Sequence, residues 1–138
     1  MPYTQASKTL THAAVMTMLS AAIAEAESQG QPQCIVIVDA SGELLGEIRM
    51  TGAKFLSRKS ARSKALTAAS IRAATTAIPE TARQPIGMAT GGNMTALPGG
   101  LPIVMNGECL GGIGVGSGTG EQDVAVATAA LKAISADI

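Results

Sequence analysis

The sequence predicts one α+β domain in which helices pack on an antiparallel sheet. Two pairs of short apolar or β-branched runs, Cys34–Val38 with Leu44–Met50 and Leu101–Met105 with Cys109–Val115, are each joined by a tight turn. Stretches of helical periodicity precede, separate and follow these hairpins, and that alternation gives an antiparallel sheet covered by helices. The chain of 138 residues is one domain's length, and it can bury enough surface to fold without disulfides or metals. Neither an internal repeat nor a linker divides residues 1–138.

Residues 10–29 read as a helix. Thr11 is its cap, Val15, Met18, Leu19, Ala22, Ile23 and Ala26 recur at helical spacing, and Gly30 supplies the left-handed stop. The run Cys34–Val38 is a buried strand, Asp39-Ala40-Ser41-Gly42 a turn, and Leu44–Met50 the returning strand. Residues 54–76 form an Ala-rich helix that can break near Ser70 and that Pro79 closes. Residues 79–100, rich in Gly, Pro and Thr, are irregular, with a short helix over 80–84 and an extra strand over 93–97. Asn106-Gly107 is a strong hairpin signal between the last two strands. Thr119-Gly120-Glu121-Gln122 is a capping box opening a final helix to about residue 135.

Composition excludes several function classes. Ten basic and ten acidic residues cancel, against a general polyanion binder. One Tyr, one Phe and no Trp leave no base-stacking platform, so no nucleic acid is expected. Residues 1–9 lack the basic start and apolar core of a signal peptide. No apolar run nears the roughly 18 residues of a membrane span, so a cytoplasmic location without membrane contact is expected. With one His and no CxxC pair, a structural zinc site lacks a ligand set, and Cys34 and Cys109 read as buried free thiols. Only 14% of the residues are charged, and much of the outside is Ala, Gly, Ser and Thr. That composition points to a homo-oligomer.

Eight of the ten basic residues lie between Arg49 and Arg83, against one acid, Glu80. Lys54, Arg58 and Arg62, spaced by four, read as one solvated helix face. Arg49 ends a strand beside Gly52, whereas Lys64 lies among Ala61, Ala65 and Leu66, near the buried stripe. Converging, the two would bind a carboxylate; apart, either would form a structural ion pair with Asp39 or Asp123. Gly99-Gly100, ahead of Pro102, suits either an anion held on backbone N–H groups or a sharp turn. Six glycines in Gly111–Gly120 lack the register of a nucleotide loop, so no nucleotide is expected. Glu121 and Asp123 open the final helix, where negative charge is favoured. Asp123 is also a candidate base, or a partner for Lys64. His12 is the only imidazole, and no nucleophile elbow accompanies it. Met50, Met88 and Met94 are thioether candidates, although the seven methionines also serve to fill a core without aromatics.

Four stretches, taken in order, carry a family resemblance: residues 38–53 (VDASGELLGEIRMTGA), 63–68 (SKALTA), 97–103 (LPGGLPI) and 111–127 (GGIGVGSGTGEQDVAVA). Over roughly residues 10–135 the chain resembles the GlcG/HbpS-like family, which includes the C-terminal domain of PduO-type proteins. The resemblance implies a profilin-like α/β sandwich with a central antiparallel sheet of about five strands. It also implies dimers that assemble into rings or octamers, and in some members haem binding or degradation or a place in a catabolic operon. Such relatives place an axial ligand toward the start of the domain, which makes His12 the first candidate for iron. Two motifs depart from the family pattern. Arg49-Met50-Thr51-Gly52-Ala53 stands for Arg-Met-Asp-Gly-Ala, and Gly114-Val115-Gly116-Ser117-Gly118 displaces the Ser of Gly-Val-Ser-Gly by one residue.

Two functions from different classes follow. In one, an oligomer binds haem or a related tetrapyrrole, with redox or degradative activity. There His12 or a Met reaches iron, while Arg49, Lys64 or nearby basic residues neutralise the propionates. In the other, a small enzyme of isomerase, lyase or hydratase type moves a proton on a small carboxylate metabolite. Arg49 anchors the acid, Lys64 or Asp123 is the base, and the Gly99 and Gly100 N–H groups hold an oxyanion. A scaffold whose task is assembly is the third reading.

Overall fold

Alternation along one buried strand sets the layers. A computed structural model describes residues 1–138. The elements run α1 (His12–Ser28), β1 (Cys34–Asp39), β2 (Leu44–Arg49) and α2 (Ser57–Ile71). After α2 come α3 (Arg83–Ala89), β3 (Gly100–Met105), β4 (Glu108–Gly116) and α4 (Gly120–Ala133). In β1, Ile35 and Ile37 join the larger core, made with Val15, Met18, Ala22 and Ala26 of α1 and Val126, Ala127, Ala130 and Leu131 of α4. Cys34, Val36 and Val38 point the other way, onto Ala61, Ala65 and Ala69 of α2. A period of two thus divides one strand between two helix layers.

The sheet has four strands in the order β2-β1-β4-β3, all neighbours antiparallel. This is the expected α+β architecture with one strand fewer. Residues 93–97 form no ladder because their polar groups are taken up otherwise. Thr95 N–H donates to Thr67 Oγ1, Leu97 N–H to Thr95 Oγ1, and the Asn93 and Leu97 carbonyls accept Thr67 and Thr75 hydroxyls. No helix is long and apolar enough to cross a membrane.

The helix ends follow local chemistry. Thr11 caps α1, and the Thr119–Gln122 capping box forms in full at α4. α2 is shorter than its periodicity suggested. Lys54 N–H is drawn to Ser117 Oγ ahead of the helix, and Arg72, at φ 57°, turns the chain out of it before a 3₁₀ turn at Thr75–Ala77. The expected short helix over 80–84 is a 3₁₀ turn, Glu80–Ala82, leading into α3. Asn106 and Gly107 both take positive φ, 52° and 79°, as a two-residue hairpin turn requires.

The closest packing is α2 on β4. Gly112, Gly114 and Gly116 face α2, and α2 lies directly on their backbone. A Cβ at Gly112 would stand 2.8 Å from the Ala69 nitrogen, and one at Gly114 2.5 Å from the Ala65 nitrogen with the Ala61 carbonyl nearer still. At Gly116 it would meet Ser60 Oγ at 2.9 Å and the Ser57 carbonyl at 3.0 Å. At Gly114 the obstacles are all helix backbone, which cannot rotate aside. Gly114→Ala should therefore lower the unfolding free energy in urea by about 3 kcal/mol, at the upper end of ordinary overpacking costs. Gly87→Ala, whose Cβ would meet only the Met94 carbonyl at 3.5 Å, should be neutral or gain about 0.5–1 kcal/mol from helix propensity.

Candidate functional site

Lys64 points from α2 past the end of β4 to the start of α4. Its Nζ donates to the Val115 carbonyl at 2.7 Å and to Asp123 Oδ2 at 3.0 Å. Asp123 Oδ1 accepts the Gly118 N–H at 3.1 Å. Residue exposures of 4% and 2% make this a buried ion pair, and it is the only salt bridge in the chain. Gly99, at φ 117°, closes the backbone over it. A Cβ there would lie 2.7 Å from the Val115 carbonyl, 2.8 Å from Asp123 Cβ and 3.1 Å from Lys64 Nζ. A Cβ on Gly100 would press on the Lys64 carbonyl at 2.5 Å.

Of the candidate residues, then, Lys64, Asp123, Gly99 and Gly100 come together, in a sealed and fully packed arrangement. Their immediate work is mechanical: the pair fastens α2 and β4 to the first turn of α4. Gln33 lies beside it, fully buried with both side-chain polar atoms unpaired; a Cβ on Gly118 would meet its Nε2 at 2.5 Å and Asp123 Oδ1 at 2.9 Å. Its position next to a strand gives no signal of this in the sequence. The neighbouring turn explains the displaced serine. Gly116 cannot carry a side chain against Ser57 and Ser60, so the serine falls at 117, at φ 102°, a backbone conformation suited to glycine. Ser117 Oγ accepts the Lys54 N–H, and its carbonyl accepts Gln31 Nε2 and Lys54 Nζ, which offset the strain.

Arg49 does not join Lys64. It ends the outermost strand, opposite Cys34, two strands away from β4. Its Nε donates to the Ala53 carbonyl at 3.0 Å. Cys34 is buried and its thiol is pushed above the ordinary 9.0 by burial, with the Arg49 and Arg58 charges pulling it down and Glu47 adding to the rise. Cys109 is only half-buried, contrary to the expectation of two buried thiols.

His12, in contrast, is open. It begins α1, exposed, and its ring takes part in no hydrogen bond or ion pair within the chain. One turn on, on the same helix face, Met16 is 61% exposed. The thioether candidates read from sequence divide differently. Met50 Sδ accepts the Gln33 N–H and packs on the core, Met94 is half-buried and Met88 is exposed. Met16 was findable from its four-residue spacing to His12. α1 lies alongside β2: a Cβ on Gly46 would strike Val15 Cγ1 at 2.7 Å and Leu19 Cδ1 at 3.3 Å. Farther along, Ile23 and Ile48 line a common cleft of about 550 Å³. Another apolar cleft, of about 820 Å³, lies over Pro98, Thr119, Gly120, Glu121, Val124 and Ala125 and contains no His, Cys or Met.

Residues 10–132 match the family model for the haem-degrading protein HbpS-like family. The chain belongs to the HbpS-like family. It is 35% identical over 133 residues to an uncharacterised 15.0 kDa protein of the dhaT-dhaS intergenic region of Citrobacter freundii, covering 92% of this chain and 93% of that one. The crystal structure of Klebsiella pneumoniae protein ORFY superposes with a TM-score of 0.92 at 30% identity, over 100% of this chain and 99% of the other. A PduOC–haem complex superposes with a TM-score of 0.88 at 27% identity, over 94% and 98%. Family membership and fold are thus shown together.

Breaking the buried pair on one side should be costly. Lys64→Met or Asp123→Asn should each lower stability by about 3–5 kcal/mol in chemical denaturation, because each leaves one charge buried alone. The double variant Lys64→Met/Asp123→Leu should lose much less than the sum. The Cys34 thiol, neutral in the fold and ionised more readily when unfolded, contributes stability that is full below pH 9.0 and is lost as pH rises through its raised folded value. Native Cys34 should accordingly stay unreactive to a thiol reagent at pH 8 until the protein is unfolded.

Proposed function

We propose that the chain binds haem or a related tetrapyrrole as a homo-oligomer, with His12 as the axial ligand to iron. The observation that carries the proposal is the state of His12: the only imidazole of the chain, exposed and unengaged on the first turn of α1. The family's description as haem-degrading and the haem complex of the similar PduOC domain support the same reading. The donor set fits. An imidazole free of internal partners is an ordinary axial ligand, and Met16 adds an exposed thioether and apolar surface one turn away. Lys64 is committed to Asp123, so neutralisation of propionates falls to exposed basic residues of the assembled oligomer.

With few aromatic side chains to wall a macrocycle, a single chain offers only one side of such a site, and a second copy supplies the other. Bound haem supplies a redox-active iron, and the proposal extends to redox or degradative activity on the bound group. A cytoplasmic setting, in which Cys34 and Cys109 stay reduced, goes with this reading.

The enzyme reading requires Arg49 and Lys64 to reach one substrate. Arg49 lies on the outer strand, and Lys64 is sealed beneath Gly99 with Asp123. Haem binding is therefore the function that the geometry supports best. Titration of the purified oligomer with hemin should give a Soret shift that saturates at a fixed ratio. In His12→Ala the shift should be lost or altered while the elution volume of the oligomer stays the same. A featureless rise shared by both proteins would overturn the proposal.

A further inference from the structure

β2 is an edge strand with nothing on its outer side. The two edges of the sheet are built differently. In β3, Leu101 and Ile103 direct their backbone groups toward β4, an orientation fixed by the Val115 N–H to Gly99 carbonyl bond. Gly100 and Pro102 therefore face outward, and Pro102 has no N–H to offer there. That edge is blunted in the usual way.

In β2 the Met50 N–H donates to the Gln33 carbonyl, so Gly46 and Ile48 also direct their backbone groups inward to β1. Glu47 and Arg49 direct theirs outward, free to pair, whereas Leu45 lies at a bulge where the register to β1 shifts between Ile37 and Val38. Neither Lys nor Pro interrupts the strand. Its large side chains stay in solvent, Leu44 at 55%, Leu45 at 37% and Ile48 at 38% exposure. A strand of this kind is a template for another strand.

Which strand it takes is written in its charges. Glu47 and Arg49, two residues apart on one face, both approach Cys34, yet neither forms an ion pair within the chain. In an antiparallel pair of two β2 strands, outward-directed residues must face outward-directed residues. Three central registers satisfy this. One sets Glu47 against Glu47, which like charges disfavour. One sets Leu45 against Glu47, which the bulge at Leu45 disrupts. The third sets Glu47 of each copy against Arg49 of the other and brings Ile48 face to face across the two-fold axis. Only this third register pairs both central charges while burying an apolar centre.

We infer that β2 is an isologous interface between two copies of this chain, pairing antiparallel about Ile48 with reciprocal Glu47–Arg49 contacts to give one continuous eight-stranded sheet. The inference does not depend on the ligand. Hemin binding can fail while the strands pair, and strand pairing can fail while His12 binds hemin.

The test is a cysteine scan of the full chain. Ile48 would occupy a non-hydrogen-bonded pair, with Cα atoms about 4.5 Å apart, within reach of a disulfide. Under mild oxidation Ile48→Cys should run as a covalent dimer on a non-reducing gel, at least ten-fold above the wild-type background from Cys34 and Cys109. Leu45→Cys, which leaves both charges in place and is not opposite itself in this register, should stay near background. Glu47→Arg should weaken dimerisation at least ten-fold by dilution on a sizing column, and Glu47→Arg/Arg49→Glu should restore it. An Ile48→Cys protein that elutes as an oligomer without cross-linking would overturn the proposal, as would preferential cross-linking of Leu45→Cys or a wild type that is monomeric at micromolar concentration.

Discussion

The seat of α2 on the glycine face of β4 governs the rest of the structure. An ordinary sheet keeps a helix at a distance set by its side chains. Here Gly112, Gly114 and Gly116 on the strand and Ala61, Ala65 and Ala69 on the helix remove that spacer. Several other features follow from this proximity. Lys64 is brought near enough to pass the strand end and pair with Asp123, and Gly99 must lack a side chain so that the backbone can close over the pair. Ser117 is displaced into a backbone conformation ordinarily held by glycine, because position 116 has no room for it. The small-residue richness of the composition is therefore spent inside the molecule as much as on its surface.

This division of labour bears on function. The seam of α2, β4 and α4 contains the one buried ion pair and the most tightly packed backbone, and it is closed. A buried ion pair is weak evidence for net stability, yet removing one partner is severe. The pair thus specifies how the helices dock and remains out of reach of substrates. The edge formed by the start of α1 and by β2 is open and carries the free imidazole, exposed apolar side chains and unpaired charges. A site that takes a ligand or a second copy belongs on the open side.

Much of the fold was legible because its signals are local. Thr11, the Asp39 turn, Asn106-Gly107 and the Thr119 capping box each act within four residues, and each forms as the sequence suggests. That residues 93–97 form no fifth strand was not legible, because Thr67 and Thr75, some 20 to 30 residues earlier, take the polar groups that a ladder would use. The site was legible in part. Burial of Lys64 and pairing with Asp123 stood among the alternatives that its apolar neighbours allowed. The separation of Arg49 from Lys64 was not legible, because it depends on strand order, which no spacing reveals. Gln33 and Met16 were missed for opposite reasons: one is a polar residue buried by long-range packing, the other an apolar residue left outside by it.

The most direct measurement is hydrogen–deuterium exchange of the oligomer with and without hemin. If the open side is the functional one, hemin should slow exchange in the first two turns of α1, around His12 to Leu19. The amides of Gly99–Gly100 and Gly118–Asp123 should be unchanged. Protection confined to that sealed seam, with the His12 turn unaffected, would contradict the account and return the chemistry to Lys64 and Asp123.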